Sequence, residues 1–119
     1  MVPSKYRLVD THAHICDPAF DKDRAKALES ARSAGVAAII AVGENLSDAR
    51  KNLELAERYS MLKPAAGLYP DILDINQADE MADFILQNHS VLAAIGEVGL
   101  DYWVVKEAPD RALQREIFK

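Results

Sequence analysis

Val36-Ala37-Ala38-Ile39-Ile40-Ala41-Val42 is apolar without a break and is bounded by Gly35 and Gly43. A strand wetted on one side alternates polar and apolar residues, so a continuous run reads as a strand buried on both faces, as in a parallel sheet. Parallel neighbours need crossover connections, usually helices, and the sequence around this run supplies them. Tyr6 to Val9 reads as a first strand, followed by Asp17-Pro18 turn chemistry and a helical apolar stripe from Ala19 to Ala34. Beyond the run, Ser47 or Asn45 can cap a helix with Leu46, Ala49, Leu53 and Ala56 inward. A third strand fits within Leu62 to Leu68, with Pro64 weakening its start so that only Ala65 to Leu68 is secure. Asn76 is placed to cap a third helix that carries Met81, Ala82, Ile85 and Leu86 inward. Val91 to Ile95 makes a fourth strand, and a last helix begins near Pro109, with Leu113 and Ile117 marking its apolar side.

The pattern is β-α four times over, with strands roughly 30 residues apart, the size of a βα unit. Two architectures fit: an open doubly wound sheet, or half of a (β/α)8 barrel, whose complete form takes about 250 residues. The last helix runs to Lys119 without a stop signal, as a fragment would, so residues 1–119 are expected to be one partial domain, truncated after its fourth βα unit if the architecture is the barrel.

Asp10-Thr11-His12-Ala13-His14 lies at the end of the first strand, where alternation lets Asp10, His12 and His14 share a face. Two imidazoles so spaced can grip one divalent ion; turn and capping roles are equally open to a lone His-x-His. A second stretch, Ala94-Ile95-Gly96-Glu97-Val98-Gly99-Leu100-Asp101-Tyr102, again ends a buried-looking strand in a carboxylate. Glu97 can ligate the same ion or bridge it to another, and paired ions suit phosphoester cleavage. Asp10 can orient an imidazole, and Asp101 can do so or touch substrate; a cap or turn bond to backbone is the alternative for each. In a flat sheet of sequential order, strands one and four stand about 14 Å apart, three spacings of about 4.8 Å. That is too far to share an ion, whereas strand ends converge in a barrel. If His12, His14 and Glu97 act together, the barrel is the architecture.

Other features carry less. Gly96 and Gly99 allow tight backbone around Glu97, and no Gly-x-Gly-x-x-Gly or phosphate-loop lysine motif is present. The Tyr102-Trp103 pair can stack on a base or sugar, or pack over a barrel rim. Cys16 reads as a small buried hydrophobe, Met81 as core filler, and His89 as a helix C-terminal residue remote from the strand ends. The single cysteine rules out an internal disulfide and suits a reducing compartment. A net charge of −5 leaves no general basic surface for nucleic acid, so a phosphate-bearing substrate would be held locally. Met1 to Tyr6 has no apolar run to make a signal peptide, and Val36 to Val42 is too short to span a bilayer. A soluble, cytoplasmic protein is expected.

With these residues in hand, the chain resembles the N-terminal half of a TatD-family metal-dependent hydrolase. Asp10-Thr11-His12-Ala13-His14 is similar to the family's opening Asp-x-His-x-His, and Ile95 to Tyr102 to its Ile-Gly-Glu-(Ile/Val)-Gly-Leu-Asp-Tyr block. Gln114-Arg115-Glu116-Ile117-Phe118 resembles the Gln-x-x-x-Phe that follows. The resemblance implies a barrel holding one or two Mg, Mn or Zn ions and hydrolysing phosphodiester bonds in DNA. By position, His12 and His14 match the first metal-ligand pair, and Glu97 the bridging, catalytic carboxylate. Gly67-Leu68-Tyr69-Pro70 departs from the family's Gly-x-His-Pro. Tyr69, in place of the histidine, can hydrogen-bond a phosphate, supporting the site or touching substrate, but is a poor metal ligand when neutral, which bears on substrate preference. Family members draw two further histidines and an aspartate from later strands, so this chain alone is expected to be inactive or nearly so. Its unpaired outer strands invite self-association. The alternatives are an amidohydrolase acting on C–N bonds and a noncatalytic α/β interaction domain.

Overall fold

A computed structural model describes residues 7–119. The part of the first strand assigned to Tyr6, like the reading of Met1 to Tyr6, lies outside the described residues. Four parallel strands, β1 (Leu8–Ala13), β2 (Val36–Ala41), β3 (Leu62–Ala66) and β4 (Ala94–Ile95), form one sheet in the order β1-β2-β3-β4. Helices α1 (Arg24–Ser33), α2 (Leu46–Arg58) and α3 (Ile75–Asn88) make the crossovers, and α4 (Ala108–Phe118) follows β4. The result is half of a (β/α)8 barrel rather than a flat open sheet, with His12 and His14 of the β1 end meeting Glu97 after β4.

Two apolar clusters join helices to sheet. Ile39, Leu62 and Met61 pack with Leu28 of α1, Leu55 of α2, and Ile15 and Cys16 beyond β1. Ala66 and Leu68 pack with Ala49 of α2 and Met81 of α3. The β2 run is less enclosed than its composition suggests. Ile39 and Ala41 are buried, while Ala38 and Ile40, on the alternate face, are only half-buried. Helices cover one face of the half-barrel, and the other is open.

Element boundaries moved for local reasons. The first helix is split. Asp17 Oδ1 accepts from Ala19 N, closing a 3-10 turn over Pro18–Phe20, and α1 starts only at Arg24. Asn45, not Ser47, caps α2, its Oδ1 accepting from Asp48 N at 2.9 Å. Asp74, not Asn76, caps α3, accepting from Asn76 N and Gln77 N. Those bonds hold its carboxyl below the ordinary range, the Gln77 side-chain amide contributing most. β3 runs through Pro64, whose missing N–H is tolerated while its carbonyl accepts from Ala93 N at 2.8 Å. β4 is shorter than Val91 to Ile95 because Val91 N and Leu92 N both turn back to Asn88 O at the end of α3. Pro109 sits in the first turn of α4, where its missing donor costs nothing. No described helix is long and apolar enough to cross a membrane.

The capping difference gives a direct check. Asn45→Ala should cost about 1 kcal/mol of unfolding free energy, and Ser47→Ala much less, as measured by urea denaturation.

Candidate metal centre

His12, His14 and Glu97 each offer a ligand atom, and the three atoms lie within 4.8 Å of one another. His12 Nε2 is 3.4 Å and His14 Nε2 3.3 Å from the same Glu97 oxygen, Oε2. A charge-assisted N–H···O⁻ bond would close to about 2.7–2.9 Å, so neither contact has that character. Donors each about 2.0–2.1 Å from a common tetrahedral ion stand about 3.3–3.4 Å apart. The observed separations match that spacing, and the donor set of two imidazoles and a carboxylate is one that divalent transition metals accept. The rings sit edge to face with centroids 5.3 Å apart, so both can present Nε2 to one point. The three side chains keep about a third to a half of their surface exposed, leaving the site accessible.

How residues from the two outer strands of a four-stranded sheet meet is set by the backbone at the strand ends. Gly96 N donates to Ala66 O at the end of β3, and the chain then crosses that end until Glu97 N faces Gly43 O, beyond β2, at 3.5 Å. The crossing passes directly over Gly67. A Cβ there would lie 2.7 Å from both the Gly96 carbonyl carbon and Val98 Cγ1, closer than real Cβ contacts come. Gly67 therefore admits the crossing, whereas a Cβ on Gly96 would meet nothing within 4 Å. The sequence reading placed the tight backbone at Gly96 and Gly99. Of those two, Gly99 alone has a backbone need for glycine, its φ of +146°. Gly67 was missed; its signal is a glycine directly after an apolar strand.

β1 also departs from a regular strand. Between Asp10 and Ala13 its register against β2 slips, three steps on β1 matching two on β2. Such a bulge re-aims side chains, so the simple alternation assumed for Asp10, His12 and His14 does not hold. His12 and His14 still reach Glu97. Asp10 Oδ1 accepts from His12 N at 3.0 Å and so braces the backbone of the His12–His14 segment. Asp101 Oδ1 accepts from Trp103 N and Val104 N, a turn-forming role. Tyr69 N donates to Glu44 O at 2.8 Å. Its phenol titrates above the ordinary value because of desolvation first, then the carboxylates of Glu97, Asp101, Asp71 and Glu44. It is thus a neutral hydroxyl able to donate a hydrogen bond. Cys16 is buried with its thiol 3.6 Å from Val42 O, and burial pushes its titration up. His89 closes α3, its Nδ1 2.9 Å from Leu86 O, and takes no part in the cluster.

Gln114 is the connecting residue that the residue pattern marked without explaining. It is 1% exposed; its Oε1 accepts from Asp101 N and its Nε2 donates to Pro70 O. One amide thus ties the loop after β4 to the loop after β3.

The sequence family described as TatD related DNase matches residues 9–119. A human protein, deoxyribonuclease TATDN3, is 38% identical over 105 residues, covering 80% of this chain and 38% of its own length. YabD of Bacillus subtilis, described as a metal-dependent hydrolase, is 34% identical over 113 residues, covering 94% of this chain and 44% of its own. The crystal structure of the Escherichia coli TatD homologue YjjV superposes with a TM-score of 0.77 at 29% identity, over 94% of this chain and 44% of that one. The chain thus spans less than half the length of the relatives it matches.

The geometry predicts that Gly67→Ala pushes the Gly96–Val98 segment aside and moves Glu97 away from the two rings. Affinity for Mn²⁺, measured by equilibrium dialysis, should fall about 10- to 100-fold, while circular dichroism retains the helices.

Proposed function

The chain belongs to the TatD related DNase family, and on that premise we propose that it carries the first metal-binding half of a divalent-metal-dependent hydrolase that cleaves phosphodiester bonds in DNA. One observation carries the reading: two imidazoles stand 3.3–3.4 Å from a shared carboxylate oxygen at the strand ends. His12 and His14 present imidazole nitrogens, and Glu97 Oε2 completes a three-donor face. Two imidazoles with one carboxylate favour zinc or manganese over magnesium, which prefers oxygen donors. A bound ion supplies Lewis acidity and an activated water. The other oxygen of the Glu97 carboxylate can accept a proton from water, and the neutral Tyr69 hydroxyl can donate to a phosphate oxygen. Asp10 and Asp101 act through backbone, holding His12 and the loop after Glu97 in place.

The human relative's name, deoxyribonuclease, and that of a Salmonella typhimurium relative, 3'-5' ssDNA/RNA exonuclease TatD, support nucleic acid as the substrate class. The second is 31% identical over 114 residues, covering 92% of this chain and 44% of its own length. Among the described residues one three-donor cluster exists, so a two-ion arrangement needs ligands from elsewhere. The outer strands β1 and β4 leave Leu8, Val9 and Ile95 more than half exposed, surfaces open to self-association.

Two measurements test this reading. Equilibrium dialysis should find one Mn²⁺ or Zn²⁺ per chain, lost in His14→Ala; absence of binding, also in a longer form carrying the segments that follow in relatives, would favour a noncatalytic domain. The 119-residue chain with Mn²⁺ should hydrolyse single-stranded DNA at near-background rates, because three donors hold an ion weakly without the rest of the ligand set. Robust turnover abolished by His12→Ala would overturn that expectation.

A further inference from the structure

We propose that the loop between β4 and α4 is a single-strand nucleic-acid platform, on which the indole of Trp103 stacks a base and Lys106 and Arg115 meet the phosphate backbone. The inference rests on the nuclease reading and adds to it the surface that holds the strand.

The loop's backbone is fixed while its aromatic surface is left bare. Asp101 Oδ1 accepts from Trp103 N and Val104 N, and Val105 N donates to Asp101 O. Arg111 Nε donates to Val105 O at 2.9 Å and its guanidinium to Tyr102 O at 3.2 Å. Val105 is 5% exposed and anchors the loop from below. Trp103, held by these bonds, is nonetheless 86% exposed. A tryptophan ordinarily buries most of its large ring, so a rigid loop presenting one to solvent is suited to a flat partner. Stacking on a pre-ordered ring also loses little conformational entropy.

Cations flank the aromatic pair. Lys106 Nζ lies 5.8 Å from the Trp103 ring centroid, and the Arg111 guanidinium 4.4 Å from that of Tyr102. Arg115 donates to the Tyr102 hydroxyl at 2.9 Å. Glu107 and Asp110 lie at the start of α4, so Asp101–Lys119 has four acidic and four basic side chains, a neutral stretch in a chain of net charge −5. This is therefore a place where a polyanion meets less repulsion than the chain's average charge would impose. Aromatic rings interleaved with cations are the combination that binds single strands without reading sequence. The loop begins four residues after Glu97, and Gln114 ties its first residue, Asp101, to Pro70 in the loop after β3.

The test separates holding the strand from cutting it. Trp103 is the sole tryptophan, so its fluorescence reports on the ring directly. Titrating a short oligothymidylate into the chain in EDTA should quench that emission. Anisotropy of a labelled oligothymidylate should show affinity falling about tenfold in Trp103→Ala and little in Trp103→Phe. Lys106→Ala should lower the slope of log affinity against log salt by about 0.7. Unquenched emission, or equal affinity for wild type and Trp103→Ala, would overturn the proposal. So would a concentration-dependent blue shift without response to oligonucleotide, which would give the ring to a second copy. Because no metal is present in that titration, oligothymidylate binding with no Mn²⁺ or Zn²⁺ bound in equilibrium dialysis would sink the metal-dependent nuclease reading and leave the platform standing; one Mn²⁺ per chain with no oligothymidylate binding would do the reverse.

Discussion

The close passage of Gly96 and Val98 over Gly67 is the contact on which the arrangement depends. Two backbones can run that near only where one lacks a side chain, since a Cβ on Gly67 would stand 2.7 Å from backbone carbon. Through that gap the segment after β4 leaves its own edge of the sheet and brings Glu97 toward β2. The sheet alone would leave residues of β1 and β4 three strand spacings apart, about 14 Å. Sheet curvature and the crossing together reduce that distance to 3.3–3.4 Å between donor atoms.

Around the three donors, polar side chains serve mostly as braces. Asp10 holds the His12 amide, Asp101 shapes the loop after Glu97, and Gln114 joins that loop to Pro70. Each bond fixes backbone, and backbone position decides where the imidazoles and the carboxylate point. A metal site tolerates little displacement, because donor distances are set within a few tenths of an ångström. The buried amide of Gln114 matters in the same way. Removing it would leave the Asp101 N–H and the Pro70 carbonyl without that partner and loosen both loops.

Much of the architecture was legible from the residues. The unbroken apolar run of β2 and the recurrence of βα units implied parallel strands with helical crossovers. His12, His14 and Glu97 were singled out from their positions at strand ends, and these are the residues that the structure brings together. The misreadings were local. Asn76 and Asp74 are both good N-cap types, and only the path of the chain decides which one meets free amides. Val91 and Leu92 look like strand, yet their N–H groups turn back to close α3. Alternation along β1 ignored a bulge that depends on pairing with β2.

Residue order by itself determined the periodicities, the metal-type side chains and their placement at the ends of β1 and β4. Those follow from local chemistry, because apolar spacing and donor type are properties of short stretches. Only the tertiary structure decided that Gly67 rather than Gly96 makes room, that both imidazoles face one oxygen of Glu97, and that Trp103 stands uncovered on a braced loop. The first two depend on how closely segments far apart in the chain approach one another across the sheet; the third depends on the path of the loop, whose bonds among residues 101–111 hold the backbone while the indole stays exposed.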